Sequence, residues 1–305
     1  MHKKPLFRRV LLPLLTLAPV FPYSGAARAH EAAMSSFVGT LKVRHGRSVI
    51  LIPGLAGGPW VWQQVIASLE KDHVAYAVTL AGFDGMPEPK DGGNLFDRAD
   101  ASLLQLIQQQ KIDRPVLVGH SLGGTLALRF AGEHAGLIAG VVAVDGLPLF
   151  PGMDRVSAEQ RSAMAAGMRK QLESATPEQF NAQQLTYMQK IGVIDPALAA
   201  RYAPLNARSD VKATAQYMSE DLASDLRPGL KNANVPILEI SPYNAADFSQ
   251  PPMAMTEQRK ADYYQRLLAN APDAKVVSIS PSRHFGMLDQ PVKFQQVLDN
   301  FLKSL

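Results

Sequence analysis

Pro115-Val116-Leu117-Val118-Gly119-His120-Ser121-Leu122-Gly123-Gly124 decides how this chain is read. Four apolar residues make a short buried strand. A Gly-x-Ser-x-Gly turn follows, and a helical pattern from Thr125 to His134 continues it. Gly119 and Gly123 flank Ser121 at i−2 and i+2, where the backbone of so sharp a turn passes too close to itself to admit a Cβ. The turn lifts the serine hydroxyl clear of the sheet. The helix beyond it turns backbone N–H groups and its positive dipole end toward any negative charge forming beside Ser121. A glycine-rich helix start packed on a strand would explain the glycines, but not a serine at the apex.

Upstream, Phe37 to Val43 alternates as a first strand, and Arg44-His45-Gly46-Arg47 turns into a second, Ser48 to Ile52. The unbroken apolar run Val49-Ile50-Leu51-Ile52 suits a strand covered on both faces, as in a parallel sheet between helices. Pro53-Gly54-Leu55-Ala56-Gly57-Gly58-Pro59 loops into a helix from Trp60 to Lys71, and a third strand runs from Val74 to Leu80. Leu95, Ala99, Leu103, Leu106 and Ile107 set helical spacing between Asn94 and Gln110. Past the elbow, Val141 to Val144 is another buried strand ending at Asp145. The alternation predicts an α/β fold with a doubly wound, mostly parallel sheet.

Between Leu147 and Lys231 the alternation stops. This stretch is rich in Met, Gln and Ala, its helical patterns are broken at Pro177, Pro196 and Pro204, and it holds no strong strand candidate. It reads as an inserted helical cap over 147–231, with the core divided into 30–146 and 232–305. The core resumes with a strand from Val235 to Ile240, a helix from Thr256 to Asn270, a strand from Lys275 to Ser280 and a closing helix from Val292 to Leu302.

The first thirty residues differ from the rest. Lys3, Lys4, Arg8 and Arg9 precede an apolar stretch from Val10 to Val20, and Ala27-Arg28-Ala29 is a small-x-small site. Residues 1–29 are therefore expected to be a secretory signal peptide cut after Ala29, with periplasmic or secreted destination. The apolar part is too short for a stable span and is interrupted by Pro13 and Pro19. An uncleaved anchor is the alternative, and Arg8-Arg9 leaves Sec and twin-arginine export both open. The leader holds five of the 31 basic residues and none of the 27 acidic ones, leaving 26 against 27. The formal charge of +4 thus belongs to the leader, and neither a nucleic-acid partner nor a membrane span is expected of the mature chain. The chain has no cysteine, which excludes disulfides, thiol nucleophiles and thiolate metal sites. No His-Glu-x-x-His, Walker loop or dinucleotide fingerprint occurs, so no metal or cofactor is implied.

A serine hydroxyl attacks only when a base takes its proton, and that base must be held by a third group. Of the seven histidines, His2 leaves with the leader and His30 and His45 lie near the mature N-terminus. His73 precedes a strand, His120 adjoins the serine and points elsewhere, and His134 ends the following helix. His284 remains, in the loop Pro281-Ser282-Arg283-His284-Phe285 past the last strand, where open α/β sheets gather their ligands.

The order Ser121 then His284, the alternating elements and the interrupting cap resemble the α/β-hydrolase superfamily over about residues 36–304. Leu51-Ile52-Pro53-Gly54-Leu55 is similar to the family's oxyanion loop, with Pro53 where a histidine is usual, and Arg283 to Pro291 to its terminal histidine segment. The resemblance implies that the backbone N–H groups of Leu55 and Leu122 form an oxyanion hole. It gives two places for the acid. In the commoner arrangement it follows the strand ending at Ile240, where Asn244 stands near the expected position and Asp247 comes three residues later. In other relatives, the pancreatic-type lipases among them, it lies one strand earlier, and Val144-Asp145-Gly146 resembles that version. Position favours Asp145, with Asp247 the alternative; Glu239 lies within a strand. A carboxylate at 145 also suits an N-cap or a turn.

Asp84 reads as a turn residue, Trp60 and Trp62 as core, and the cap methionines either as filler or as an adaptable acyl pocket. The expectation is an exported serine hydrolase acting on a small acyl substrate through an acyl-enzyme, on an ester first and on a thioester, lactone or amide by the same chemistry. A C–C bond hydrolase, a cofactor-free haloperoxidase and a non-catalytic binding protein would use the same scaffold.

Overall fold

A computed structural model describes residues 46–89, 92–251 and 254–305. The leader at 1–29 and the strand expected at Phe37 to Val43 lie outside the described residues. Six strands form one parallel sheet: β1 (Ser48–Ile52), β2 (Val74–Ala77), β3 (Val116–His120), β4 (Gly140–Val144), β5 (Ile237–Pro242) and β6 (Ala274–Ile279). Their order is β2-β1-β3-β4-β5-β6, so the chain winds out to one edge and then back across to the other. The flanking helices are α1 (Gln63–Leu69), α2 (Leu95–Gln109) and α3 (Leu122–His134) in the first half.

Strand alternation divides the core into two layers. Ile50, Ile52, Leu117, Val141 and Ala143 pack on α2 and α3, whereas Val49, Leu51, Val118, Val142 and Val144 pack on Trp60, Trp62, Val65 and residues near the C-terminus. Each such aliphatic side chain contributes roughly 1.5–3 kcal/mol by leaving water, which is why these strands are apolar at every position. Trp60 and Trp62 are both buried, stacking on Tyr202 and tilting against Phe294 respectively.

Between β4 and β5 the chain leaves the sheet for α4 (Ala158–Glu173), α5 (Pro177–Tyr187), a π turn at Met188–Gly192, α6 (Pro196–Asn206) and α7 (Val211–Ala223). Capping boxes at Ser157/Gln160 and Thr176/Gln179 start α4 and α5. The expected breaks fall at Pro177 and Pro196, each of which opens the next helix, because a first-turn proline gives up an N–H that has no helical acceptor anyway. Pro204 lies inside the last turns of α6 without ending it. A single antiparallel bridge, Leu149 to Asp225, closes the base of this insertion. Asp84 has φ +46 and does more than turn: its N–H donates to Ser209 Oγ at 3.1 Å and its carboxylate meets Arg208 at 3.3 Å, fastening the insertion to the core.

The last segment supplies α8 (Glu257–Leu267), the short α9 (Gly286–Asp289) and α10 (Pro291–Lys303). Among the described residues no helix is long and apolar enough to cross a membrane.

The elbow is where backbone packing is tightest. A Cβ on Gly119 would sit 2.1 Å from the Gly123 carbonyl oxygen, and one on Gly123 would sit 2.4 Å from the Ile52 oxygen and 2.6 Å from that of Pro53. Backbone atoms cannot yield as a side-chain tip can. Gly123→Ala is accordingly expected to lower stability by roughly 1–3 kcal/mol and to displace the Pro53–Leu55 loop, read as a lower midpoint in urea. An unchanged midpoint would mean the loop yields freely.

Candidate active site

Ser121 follows β3 directly, with φ +51 and ψ −121, a backbone region that non-glycine residues rarely occupy. Its N–H donates to the Val144 carbonyl at 2.8 Å and its carbonyl accepts from Thr125 N–H at 3.0 Å, so both flanking elements hold the strained turn. From Val116 to Leu128 every residue except Ser121 is buried. The fold spends a strained conformation to expose one hydroxyl.

Asp145 stands at the corresponding place on the neighbouring strand, one residue past β4, with its N–H donating to Ile240. It too has a positive φ, +52, which aspartate tolerates better than most side chains. Gly146 follows because a Cβ there would lie 2.6 Å from the Ser121 carbonyl oxygen. The turn reading of Asp145 therefore holds alongside its side-chain contacts.

His284 reaches this pair from beyond β6. Its Nδ1 lies 2.5 Å from Asp145 Oδ2, and both side chains are nearly buried. The other carboxylate oxygen accepts from the Tyr264 hydroxyl and lies 3.6 Å from Lys260 Nζ. Burial alone would raise the Asp145 pKa. The Lys260 ammonium, the His284 imidazole and the Tyr264 hydroxyl outweigh it and hold the carboxyl well below the usual carboxylate range. Asp145 thus stays ionised at any working pH. An imidazole whose Nδ1–H is given to a carboxylate presents its Nε2 lone pair on the other side, ready to take a proton.

The histidine loop is fixed from both sides. His284 N–H donates to Ile191 and Phe285 N–H to Gly192, both in the π turn of the insertion. His120 supports it from beneath: its Nε2 lies 3.1 Å from the His284 carbonyl oxygen and its ring packs on Phe285 and on the His284 ring. Burial, then the neighbouring His284, hold the His120 pKa well below the ordinary histidine range, so it stays neutral and donates from Nε2. Gly54 passes its ring so closely that a Cβ would come 2.7 Å from Nδ1.

Ser121, His284, Asp145, Leu55 and Leu122 all line one cavity of about 610 Å³. Leu122 is the first residue of α3, where an N–H has no helical acceptor. Among the described residues no backbone carbonyl takes the Leu55 N–H either. Two free amides beside a strained serine can receive an oxyanion. Phe150, Leu172, Phe180, Tyr187, Ile191 and Met218 supply the apolar wall. Of the five methionines of 147–231, only Met218 lines it: Met188 is buried under Phe285 and Gly192, Met153 is partly buried elsewhere, and Met164 and Met168 are exposed. Met188 fits the filler reading, and only Met218 is placed where an acyl pocket could use it, because helix faces rather than composition decide which side chains point inward.

Asp247, the alternative acid, does not line the cavity. Its carboxylate is bidentate to Arg283, at 2.8 Å from Nε and 2.7 Å from Nη2, and accepts from Asn244. It belongs to a short helical turn after β5 that faces the outer side of the histidine loop. Arg283 in turn donates to the Gln189 and Val193 carbonyls.

The roles of Lys260, Tyr264 and His120 were beyond the reach of the sequence, since α8 meets the acid, and His120 the histidine loop, only in space. Glu239 is a further case. On β5 opposite Ala143, it is fully buried with neither oxygen in a well-formed hydrogen bond. Burial and then repulsion from Asp145 push its pKa well above the usual range, the Gly146 and Asp145 amides offsetting this only in part. The unfolded chain sheds this proton at an ordinary glutamate pKa while the folded protein keeps it, so stability falls as pH rises above that value. Glu239→Gln removes the loss, and its gain in Tm over the parent is expected to be larger near pH 8 than near pH 5. An equal gain at both would mean Glu239 is ionised in the fold.

Residues 49–296 match the sequence profile of the alpha/beta hydrolase family. A pimeloyl-[acyl-carrier protein] methyl ester esterase of Vibrio vulnificus is 26% identical over 265 residues, covering 84% of this chain and 94% of that protein. The probable lysophospholipase BODYGUARD 4 of Arabidopsis thaliana is 32% identical over 107 residues, but the match takes in only 25% of its length and 34% of this chain. Among solved structures, the enol-lactonase from Burkholderia xenovorans LB400 superposes with a TM-score of 0.64 at 20% identity, over 88% of this chain and 96% of that one. With a parallel sheet that presents a strained serine, an acid and a histidine at its carboxyl end, and a profile match over most of its length, this chain belongs to the alpha/beta hydrolase family.

Proposed function

We propose that this protein is an exported serine hydrolase that cleaves a carboxylic ester through an acyl-enzyme, with Ser121 as nucleophile, His284 as general base and acid, and Asp145 as the group that orients and charges the imidazole. One observation carries the reading: Ser121 on its strained turn and the Asp145-held His284 open into the same cavity. The geometry supports the following sequence of events. His284 Nε2 takes the Ser121 proton as Oγ attacks the carbonyl carbon, and the oxyanion is received by the N–H groups of Leu55 and Leu122. The imidazolium then gives its proton to the departing alkoxide, leaving the acyl-serine ester. Water enters, loses a proton to His284 and releases the acid, restoring the serine. Asp145 pays no proton into the cycle; its charge, secured by Lys260 and Tyr264, stabilises the imidazolium.

The relatives named as an esterase, a lysophospholipase and an enol-lactonase support acyl transfer to water as the reaction class. Export is supported by the basic and apolar leader and its Ala27-Arg28-Ala29 site. A fluorophosphonate probe tests the mechanism. Only an activated serine reacts quickly, so one covalent adduct on the peptide containing Ser121 is expected, and its absence would favour a binding protein on the hydrolase scaffold. N-terminal sequencing of protein recovered from a culture's periplasm and medium tests export, the expected first residue being His30.

A further inference from the structure

The α7 wall of the cavity carries a carboxyl that the reaction above does not use. Thr214, Met218 and Asp221 stand on one face of α7, at i, i+4 and i+7, and all three line the cavity with Ser121. Opposite them is Thr125, one helical turn beyond Ser121 on α3, which lines the same cavity and whose hydroxyl is near enough to the Asp221 carboxyl to lower its pKa. That hydroxyl also lies 3.0 Å from the Leu147 carbonyl oxygen and 3.5 Å from that of Ser121. It has one hydrogen for three acceptors. Burial raises the Asp221 pKa to about 7, with Thr125 offsetting it in part, and no Lys, Arg or His among the described residues pairs with it. The side chain is half-buried, and with so few donors the carboxyl is poised between its two charge states near neutral pH, so a cationic donor reaching it from the cavity would favour the ionised form.

The remaining lining says what that something is. Among the described residues no lysine or arginine lines the cavity, and its other carboxylate, Asp145, is already taken by His284, Tyr264 and Lys260. An anionic substrate would find no countercharge. Phe150, Phe180, Tyr187 and Tyr264 add aromatic faces, which attract cations.

We propose that Asp221 is a substrate-recognition residue, and that the preferred substrate is an ester carrying a positively charged nitrogen a few bonds from the scissile carbonyl, its N–H donated to Asp221 while the carbonyl lies at Ser121. Thr125 stands one turn, about 6 Å of helix rise, from the nucleophile, which sets the short spacer. The placement of the ester rests on the serine-hydrolase reading; the cation subsite itself does not.

The test compares isosteric pairs on the intact protein. Methyl 3-aminopropanoate against methyl butanoate puts the nitrogen on the acid side, and 2-(dimethylamino)ethyl acetate against 3-methylbutyl acetate puts it on the alcohol side. In a pH-stat near neutrality, one ammonium ester is expected to exceed its neutral isostere in kcat/KM by about 10- to 100-fold, the range of one charge-assisted hydrogen bond. Asp221→Asn should bring that ratio close to one. Equal or inverted ratios in both pairs, with neutral esters turned over, would overturn the cation subsite and leave the hydrolase intact. Should no ester be hydrolysed and Ser121 not label, the hydrolase reading falls by itself. Calorimetric titration of the unmodified protein with n-propylammonium, propan-1-ol and propionate then decides the subsite. Tighter binding of the ammonium, lost in Asp221→Asn, supports it; three indistinguishable titrations overturn it.

Discussion

Ser121→Ala is expected to lower kcat on any ester the protein cleaves by about 10⁶-fold while leaving the fold intact. The change alters the one residue between Val116 and Leu128 that is not fully buried, so no neighbouring side chain on the turn is free to replace Oγ. His120, the adjacent candidate, is committed beneath the His284 loop and is buried. Residual hydrolysis should remain above the uncatalysed rate by about 10³- to 10⁴-fold, because the Leu55 and Leu122 amides would still receive an oxyanion formed by water. Stopped assays with purified protein, and a thermal melt to show that the variant is folded, check the result. A variant that retains parental kcat would end the acyl-serine mechanism.

Asp145→Asn is expected to cost about 10⁴-fold in kcat, and the surroundings dictate the reason. The Oδ1 side of the carboxylate faces two donors, the Tyr264 hydroxyl and the Lys260 ammonium. An asparagine must offer its carbonyl oxygen to them and turn its NH₂ toward His284 Nδ1. That nitrogen then becomes an acceptor, the imidazole proton moves to Nε2, and the atom that should take the serine proton no longer can. Asp247→Asn loosens only a partly exposed ion pair with Arg283, and the change in turnover should stay below about fivefold. The two variants measured side by side give the contrast. If serine, histidine and acid act as the proposed unit, the double variant Ser121→Ala with Asp145→Asn should be no slower than Ser121→Ala alone. The reverse ranking of Asp145 and Asp247 would move the acid to the loop after β5.

The local signals in the sequence reached far because they are backbone requirements. Gly119 and Gly123 betrayed the elbow, since no side chain fits where their Cβ atoms would collide with carbonyl oxygens. The apolar strand Val49-Ile50-Leu51-Ile52 announced a sheet covered on both faces, and β1 occupies those residues. His284 was legible by its place after the last strand, and it does meet the cavity that holds Ser121. Of the three cap prolines read as breaks, Pro177 and Pro196 do mark where one helix ends and the next begins, whereas Pro204 lies inside α6, because near a helix end a proline can be tolerated and its sequence context does not reveal that.

Which carboxylate meets the imidazole was a different kind of question. Asp145 and Asp247 both follow strands and both sit near turns. Sequence spacing separates them only by analogy. The choice is made in space: Arg283 captures Asp247 on the outer side of the histidine loop, while Lys260 and Tyr264 on α8 close around Asp145 and leave one of its oxygens for His284. Asp221 was likewise invisible, an unremarked acid on a cap helix until α7 laid it against Thr125. Periodicity and glycine placement are written along the chain, so sequence alone determined the sheet, the elbow and the histidine. Ion pairing and burial depend on distances between segments far apart in sequence, and only the tertiary structure decided those.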